Sequence, residues 1–185
     1  MGGRPQLLKQ LNQSTVLDVV RTAGPISRAD VARSTGLSRP TVSHVVSALL
    51  AADLIREIGS GETSVGRKPV LLMFNGDAAL VVGVDLGATK MLLGITNLDG
   101  QVLAEVQVPT PVQQGVDGVA DGLVAAITEL ISRSGRAMTQ VCGIGVGVTG
   151  AVDTESGVVL AAAGLGARDW PLRTILEERF GLPVF

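Results

Sequence analysis

Between Ile26 and Leu54 the apolar residues fall into two short helical stripes separated by a glycine. Ser27 followed by Asp30 reads as a cap and a short acid near the positive end of a helix that starts near Arg28. Val31 and Ala32 then face inward, and Gly36 supplies the left-handed turn that ends this helix. Leu37 anchors the turn. Ser38 caps a second helix, which tolerates Pro40 because amides of the first turn have no intrahelical acceptor. In that helix Val42, Val45, Val46, Leu49 and Leu50 recur at spacings that make one apolar stripe. Its other side carries Arg39, Thr41, Ser43, His44 and Ser47, short donors and acceptors with one arginine, concentrated near the N-terminal end. This is the make-up of a helix that reads base edges in a DNA groove. The competing reading is a helical hairpin inside a larger core, with those polar residues merely solvated.

On either side of this pair the pattern predicts a compact module. Ser14 to Ala23 reads as a helix packed behind the pair, with Ser14 as its cap, and Gly24-Pro25 breaks it. Leu54 to Ile58 and Pro69 to Phe74 are short β-type runs flanking a polar loop, Gly59 to Lys68, that ends in Gly66-Arg67-Lys68-Pro69. A helix, a helix-turn-helix and a hairpin with a basic tip make a winged helix. Arg67 and Lys68 could then lie along phosphates or enter a minor groove, or the loop could be a plain solvated turn.

From Leu80 onward the period changes from helical to alternating. Leu80 to Leu86, Met91 to Asn97 and Val102 to Val108 read as three antiparallel strands joined by Gly87-Ala88-Thr89-Lys90 and by Asp99-Gly100. Val116 to Ser134 is amphipathic and reads as a helix. Val141 to Val148 follows as a buried strand, with a glycine turn at Thr149-Gly150. Pro171 to Phe180 reads as a helix leading into Leu182 to Phe185. Strands followed by crossing helices define an α/β layer fold, so two domains are expected, residues 1–76 and residues 77–185.

Charge sharpens this division. The chain has 185 residues and a net charge of −2. Residues 1–76 hold nine basic and five acidic side chains, a net of +4, whereas residues 77–185 hold six and twelve, a net of −6. A basic N-terminal module suits a polyanion, because nonspecific DNA affinity is largely counterion release. With apolar residues at 46% and aromatics at 2%, the cores must be built from Val, Leu, Ile and Ala. One cysteine and one histidine exclude an internal disulfide and a Cys/His zinc cluster made by this chain alone. No apolar run is long enough to span a bilayer, and the N-terminal segment lacks a signal-peptide pattern. A cytoplasmic protein working at the nucleoid is expected, with no membrane partner.

Few residues suggest catalysis. Asp85 precedes Gly87, Thr89 and Lys90 at a strand end, a turn that could approach phosphate oxygens with backbone amides and a hydroxyl; a hairpin with a charged tip is the other reading. Cys142 is expected to be a buried, inert thiol, because no histidine stands near it to activate it. His44, the single histidine, already belongs to the DNA-reading helix, so no Ser/His/Asp arrangement can be assembled. Trp170 is expected in the core or at an interface.

Four motifs in order, GRKPVLLMF, VVGVDLGATK, GIGVGVTGAVD and GLGARDWPLRTILEERFGLPVF, resemble the ROK family of repressors, open reading frames and sugar kinases. The resemblance runs over nearly the whole chain. It implies that the second part is the first lobe of an actin-like, ribonuclease H-like α/β domain, with Asp85, Gly87, Thr89 and Lys90 matching the family's phosphate motif. Ala88 stands where Gly is frequent, Thr149 where Pro is frequent, and Gly164 where kinase-like members often carry an Asn that faces the sugar. The resemblance also implies that a kinase's catalytic Asp follows the strand at Leu182 to Phe185, in a Glu-Asn-Asp stretch, with the second lobe and a zinc motif later still. Neither is in these 185 residues.

The expectation is therefore a DNA-binding transcriptional regulator, a repressor of sugar-utilisation genes, truncated within its effector domain. Double-stranded DNA is its partner, read by Ser38, Arg39, Thr41, Ser43, His44, Arg67 and Lys68. A sugar or sugar phosphate would act on a complete form, with Gly150 and Gly164 near the effector, and a homo-oligomer is expected. No catalytic residue, metal, ATP or zinc is assigned. The alternatives are a sugar kinase with an ancillary N-terminal domain and a DNA-binding fragment without effector response. Half of a two-lobed fold leaves apolar surface uncovered, so self-association is expected as well.

Overall fold

A computed structural model describes residues 3–60 and 69–185. The chain forms two compact units, Met1–Gly76 and Asp77–Phe185. In the first, α1 (Gly3–Ala23), α2 (Arg28–Thr35) and α3 (Arg39–Ala51) pack on a small sheet of β1 (Ile26–Ser27), β2 (Ile55–Ser60) and β3 (Val70–Phe74). The core is small and entirely aliphatic: Val16 and Val20 from α1, Val31 from α2, Val42, Val45, Val46 and Leu49 from α3, with Ile26, Ile55 and Leu72 from the strands.

Two features of this unit depart from the sequence reading. α1 starts at Gly3 and not at Ser14. Ser14 is no cap, because its hydroxyl donates to Gln10 O at 2.8 Å within a helix already under way, as Thr15 does to Leu11 O at 2.9 Å. Leu7, Leu8 and Leu11 lie on this early stretch and are each more than half exposed. The wing also has a third strand. β3 is central, pairing antiparallel with β2 and with β1 (Ile26↔Leu72, Ser27↔Leu71). A strand of two residues carries no periodicity; it exists through this pairing.

The second unit is built on a four-stranded sheet in the order β6, β5, β4, β7, where β4 is Leu80–Leu86, β5 Lys90–Asn97, β6 Val102–Pro109 and β7 Val141–Val148. β4 and β5 and then β5 and β6 pair antiparallel, while β4 and β7 run parallel. α4 (Gly115–Arg133) makes the crossover from β6 to β7, and Val119, Leu123, Ile127 and Leu130 are fully buried along its inner face. Alternate residues of the strands meet it: Val82 and Leu86 from β4, Leu93 and Ile95 from β5. The alternation predicted for these elements is present to within a residue or two.

Beyond β7 the sequence reading missed a second sheet. β8 (Ala151–Asp153), β9 (Val158–Ala162) and β10 (Ala167–Trp170) form an antiparallel meander, and α5 (Leu172–Phe180) follows. Leu182 to Phe185 is represented by one parallel bridge, Ile144↔Val184, with hydrogen bonds from Ile144 N to Pro183 O and from Val146 N to Phe185 O. Cys142 was expected to be buried and is exposed. It falls at a register shift in the β4–β7 pairing, where Leu80 stands opposite Val141 and Val81 opposite Gly143, so Cys142 is the extra residue between them, while Val141 and Ile144 are buried in the core. Trp170 is core, 3% exposed. An apolar groove of about 420 Å³ lies between β7, the meander and the start of α5, walled by residues such as Val146, Val148, Val152 and Leu172.

Candidate nucleic-acid interface

The geometry of the helix pair follows from its caps. Ser27 Oγ accepts from Asp30 N at 3.2 Å and donates to Asp30 Oδ2 at 2.6 Å. The acid thus answers the cap's hydroxyl, not its backbone amide as a full capping box would. Gly36 ends α2 at φ 69°, its N–H donating to Ala32 O at 3.0 Å. Two residues later Ser38 caps α3, accepting from Thr41 N at 3.3 Å and sharing a 2.8 Å hydrogen bond with Thr41 Oγ1. With Val42, Val45, Val46 and Leu49 buried, the opposite face of α3 is turned to solvent.

That face holds most of the residues assigned to DNA. Ser38, Arg39, Ser43 and His44 are exposed and Thr41 is half-buried. Arg39 makes no ion pair among the described residues, whereas Arg28 pairs with Glu57 at 2.9 Å and Arg33 with Asp30. Ser47 Oγ donates to Ser43 O at 2.9 Å and is thereby turned back onto the helix. Ser38 and Thr41 are likewise engaged with each other, so Arg39, Ser43 and His44 are the side chains with donors and acceptors to spare. Thr35, which the sequence did not single out, fixes the turn itself: its hydroxyl donates to Val31 O at 2.7 Å and accepts from Leu37 N at 3.3 Å. Arg67 and Lys68 lie outside the described residues.

In the second unit three backbone turns come together. Gly87 N donates to Lys90 O at 3.0 Å, closing the turn after β4. Thr110, buried and overlooked in the sequence, staples this turn to the end of β6: its hydroxyl donates to Gly87 O at 2.7 Å and its N–H to Thr89 O at 3.1 Å. Asp85 is exposed on the face of β4 opposite the core, and Thr89 is exposed at the turn. Lys90 points along the strands, with Nζ donating to Gln107 Oε1 at 3.2 Å. Gly164 and Gly150 are sites of close approach. A Cβ on Gly164 would fall 2.7 Å from Ala88 Cβ, and one on Gly150 would fall 2.4 Å from Ala161 O. Gly164 therefore lies against the turn after β4, and Gly150 against the end of β9.

The loop between β8 and β9 is fastened in two ways. Ser156 Oγ donates to Asp153 Oδ2 at 2.5 Å and Glu155 N to Asp153 Oδ1 at 3.1 Å. The Ser156 hydroxyl, with the Glu155 amide, holds the exposed Asp153 carboxyl below its ordinary range. Arg173, from α5, donates to Glu155 O at 2.8 Å and to Thr154 O at 2.9 Å. Neither Asp153 nor Arg173 was assigned a role in the sequence. Among the described residues no group of three or more His, Cys, Asp or Glu could hold a metal ion.

Comparison with known proteins follows the same two units. Residues 10–63 match the MarR family and residues 81–185 the ROK family. The chain belongs to the ROK family. The xylose repressor of Caldicellulosiruptor bescii is 32% identical over 183 residues, 99% of this chain and 46% of that repressor. The crystal structure of a ROK family transcriptional regulator, a homolog of the Escherichia coli MLC protein, superposes with a TM-score of 0.80 at 26% identity, covering 96% of this chain and 45% of that one. A ROK family glucokinase from Streptomyces griseus, solved with glucose and AMPPNP, gives a TM-score of 0.51 at 34% identity over 57% of this chain and 32% of the kinase. The chain therefore spans about half the length of the curated relatives it matches. Its N-terminal winged helix is of the MarR type and its second unit has the actin-like ROK fold. No helix among the described residues is long and apolar enough to cross a membrane.

Proposed function

We propose that this chain is the DNA-reading and effector-coupled part of a sugar-responsive transcriptional repressor, with residues 1–76 reading DNA and residues 77–185 contributing to the effector domain. The observation that carries the reading is the solvent face of α3: Arg39, Ser43 and His44 exposed near a helix start capped by Ser38, on a helix whose opposite face is locked into the core. Arginine can take two acceptors on a guanine edge, and the serine and histidine offer shorter contacts beside it. Ser38 and Thr41 set the helix start against the phosphate backbone, and Arg67 and Lys68 of the wing loop add positive charge alongside.

Regulation is favoured over sugar phosphorylation by extent of match. The regulators correspond to this chain across both units, whereas the glucokinase corresponds only to 57% of it. Asp85, Gly87, Thr89 and Lys90 serve here as the turn that, with Gly150 and Gly164, shapes one wall of the effector site. The partners are double-stranded DNA, a sugar or sugar phosphate, and a second copy of the chain, since a helix-turn-helix dimer reads half-sites about 34 Å apart. The protein works in the cytoplasm at the nucleoid.

The test is selection of duplexes from a random-sequence pool by the purified chain, followed by binding of the selected duplex at several salt concentrations. Enrichment of a common sequence, with affinity falling linearly in log salt, supports the reading. Binding that depends on salt but enriches no sequence overturns it.

A further inference from the structure

Asn75 stands one residue beyond β3 and is 7% exposed, a buried polar side chain that DNA contact does not explain. Its Nδ2 donates to Asp53 O at 2.8 Å, and its backbone N–H donates to Leu54 O at 3.0 Å. Both acceptors belong to the exit of α3. There the chain reverses through Asp53 N to Leu50 O and Leu54 N to Leu49 O, each 3.0 Å, the crossed pair that closes a helix C-terminus. Glycine is the usual residue at such a position. This chain has Asp53, at φ 57°, a backbone region costly for a residue with a side chain. Such a conformation persists where its surroundings over-determine it, and the two hydrogen bonds from Asn75 do that.

The same strand also governs the entrance of the helix pair. β3 pairs with β1, which ends at the Ser27 cap of α2, and with β2, which begins just after α3 (Ile55↔Phe74). One strand therefore fixes the start of α2 through Ser27 and the end of α3 through Asn75. We propose that Asn75 is a positioning residue for DNA reading: it clamps the C-terminal end of the recognition helix to the wing and so sets the angle at which Arg39, Ser43 and His44 meet base edges. This rests on the DNA-reading function proposed above. Asn75 acts through α3. Removing its side-chain donor leaves the backbone fold in place and lets the helix end rock against the wing. Base-edge contacts carry the sequence information, whereas attraction to phosphates is electrostatic and sequence-independent, so specificity suffers before affinity.

The decisive variant is Asn75→Leu, which keeps the γ-branching and the neutral charge and removes the donor. Affinity is measured on the folded chain for the duplex it selects from a random pool and for poly(dI-dC), together with amide hydrogen exchange along α3. The expected result is a ratio of the two affinities lowered about fivefold to tenfold, with the poly(dI-dC) affinity and its salt slope unchanged. Exchange at Asp53 and Leu54 accelerates. Adding Asp53→Gly, which removes the backbone cost at the helix exit, recovers part of the ratio. A purely structural role would lower stability and active fraction and leave the ratio intact. An unchanged ratio, or an equal loss on both DNAs, overturns the inference while the DNA-reading function stands. Failure of the unsubstituted chain to select any duplex overturns that function and the inference together.

Discussion

Substitution of Gly36 by alanine isolates the energetics of the helix-turn-helix turn. Gly36 sits at φ 69° with its N–H bonded to Ala32 O, and a Cβ built there meets nothing within 4 Å. The substitution therefore adds no clash, and its cost is that of placing a side chain in the left-handed region, about 1 kcal/mol. For a unit the size of Met1–Gly76 that corresponds to a fall in melting temperature of roughly 4–8 °C. The molecule supplies its own way of assigning the loss. Its one tryptophan, Trp170, is buried in the second unit, while α1, α2 and α3 in the first unit carry the larger share of the helical signal. Thermal unfolding of Gly36→Ala followed by circular dichroism should shift down by that amount, with the Trp170 emission transition nearly unmoved. Gly36→Asn should lose less, because asparagine tolerates this region better. Asp53→Gly, at the other left-handed site flanking α3, should raise the same transition by a few tenths of a kcal/mol, on the order of the strain relieved less the entropy glycine adds. An unchanged midpoint for Gly36→Ala would refute the claim that the turn fixes this residue in the left-handed region.

Three further outcomes test the second unit. Gly150→Ala places a Cβ 2.4 Å from Ala161 O, so the turn after β7 must move; a loss of about 1–3 kcal/mol is expected in denaturant unfolding followed by Trp170 emission. Gly164→Ala meets Ala88 Cβ at 2.7 Å, and Ala88→Gly should return most of its loss in a double-mutant cycle, whereas additive losses would separate the two turns. The Asp153 carboxyl, held low by Ser156 and Glu155, should titrate by NMR below the ordinary value of about 3.9. Because the folded group is the stronger acid, its contribution to the β8–β9 loop is present above that value and lost as pH falls through the lower folded value; Ser156→Ala should move the midpoint upward.

What the sequence disclosed was what short-range chemistry decides. Ser27, Gly36, Ser38 and Pro40 act within a turn of their own positions, so the helix pair could be read almost to the residue. The strands from Leu80 to Pro109 were legible because one face is buried against α4 and the other is not, which writes a period of two into the chain. The misses are non-local. β1 exists only because Ile26 and Ser27 find Leu72 and Leu71 far along the chain. β8 to β10 are short and lean on one another, although Asp153 to Gly157 carried a turn signal that could have revealed the first of their hairpins. Ser14 resembled a cap because its hydroxyl bonds to the backbone in either role. Cys142 reads as buried from its apolar neighbours in sequence, but it is the extra residue at the register shift between β4 and β7, which sequence periodicity does not reveal. Asn75 and Thr110 looked like loop residues, and their importance lies in carbonyls more than twenty residues away.

Reading of base edges by the N-terminal face of α3 is tested most directly by replacing Arg39 and His44 with alanine and measuring affinity for the selected duplex and for single-base variants of it. Arg39→Ala should cost about 1–3 kcal/mol and relax the preference at one base position, with His44→Ala smaller and confined to a neighbouring position. Affinity and base preference unchanged in both variants would contradict the assignment of this face to DNA.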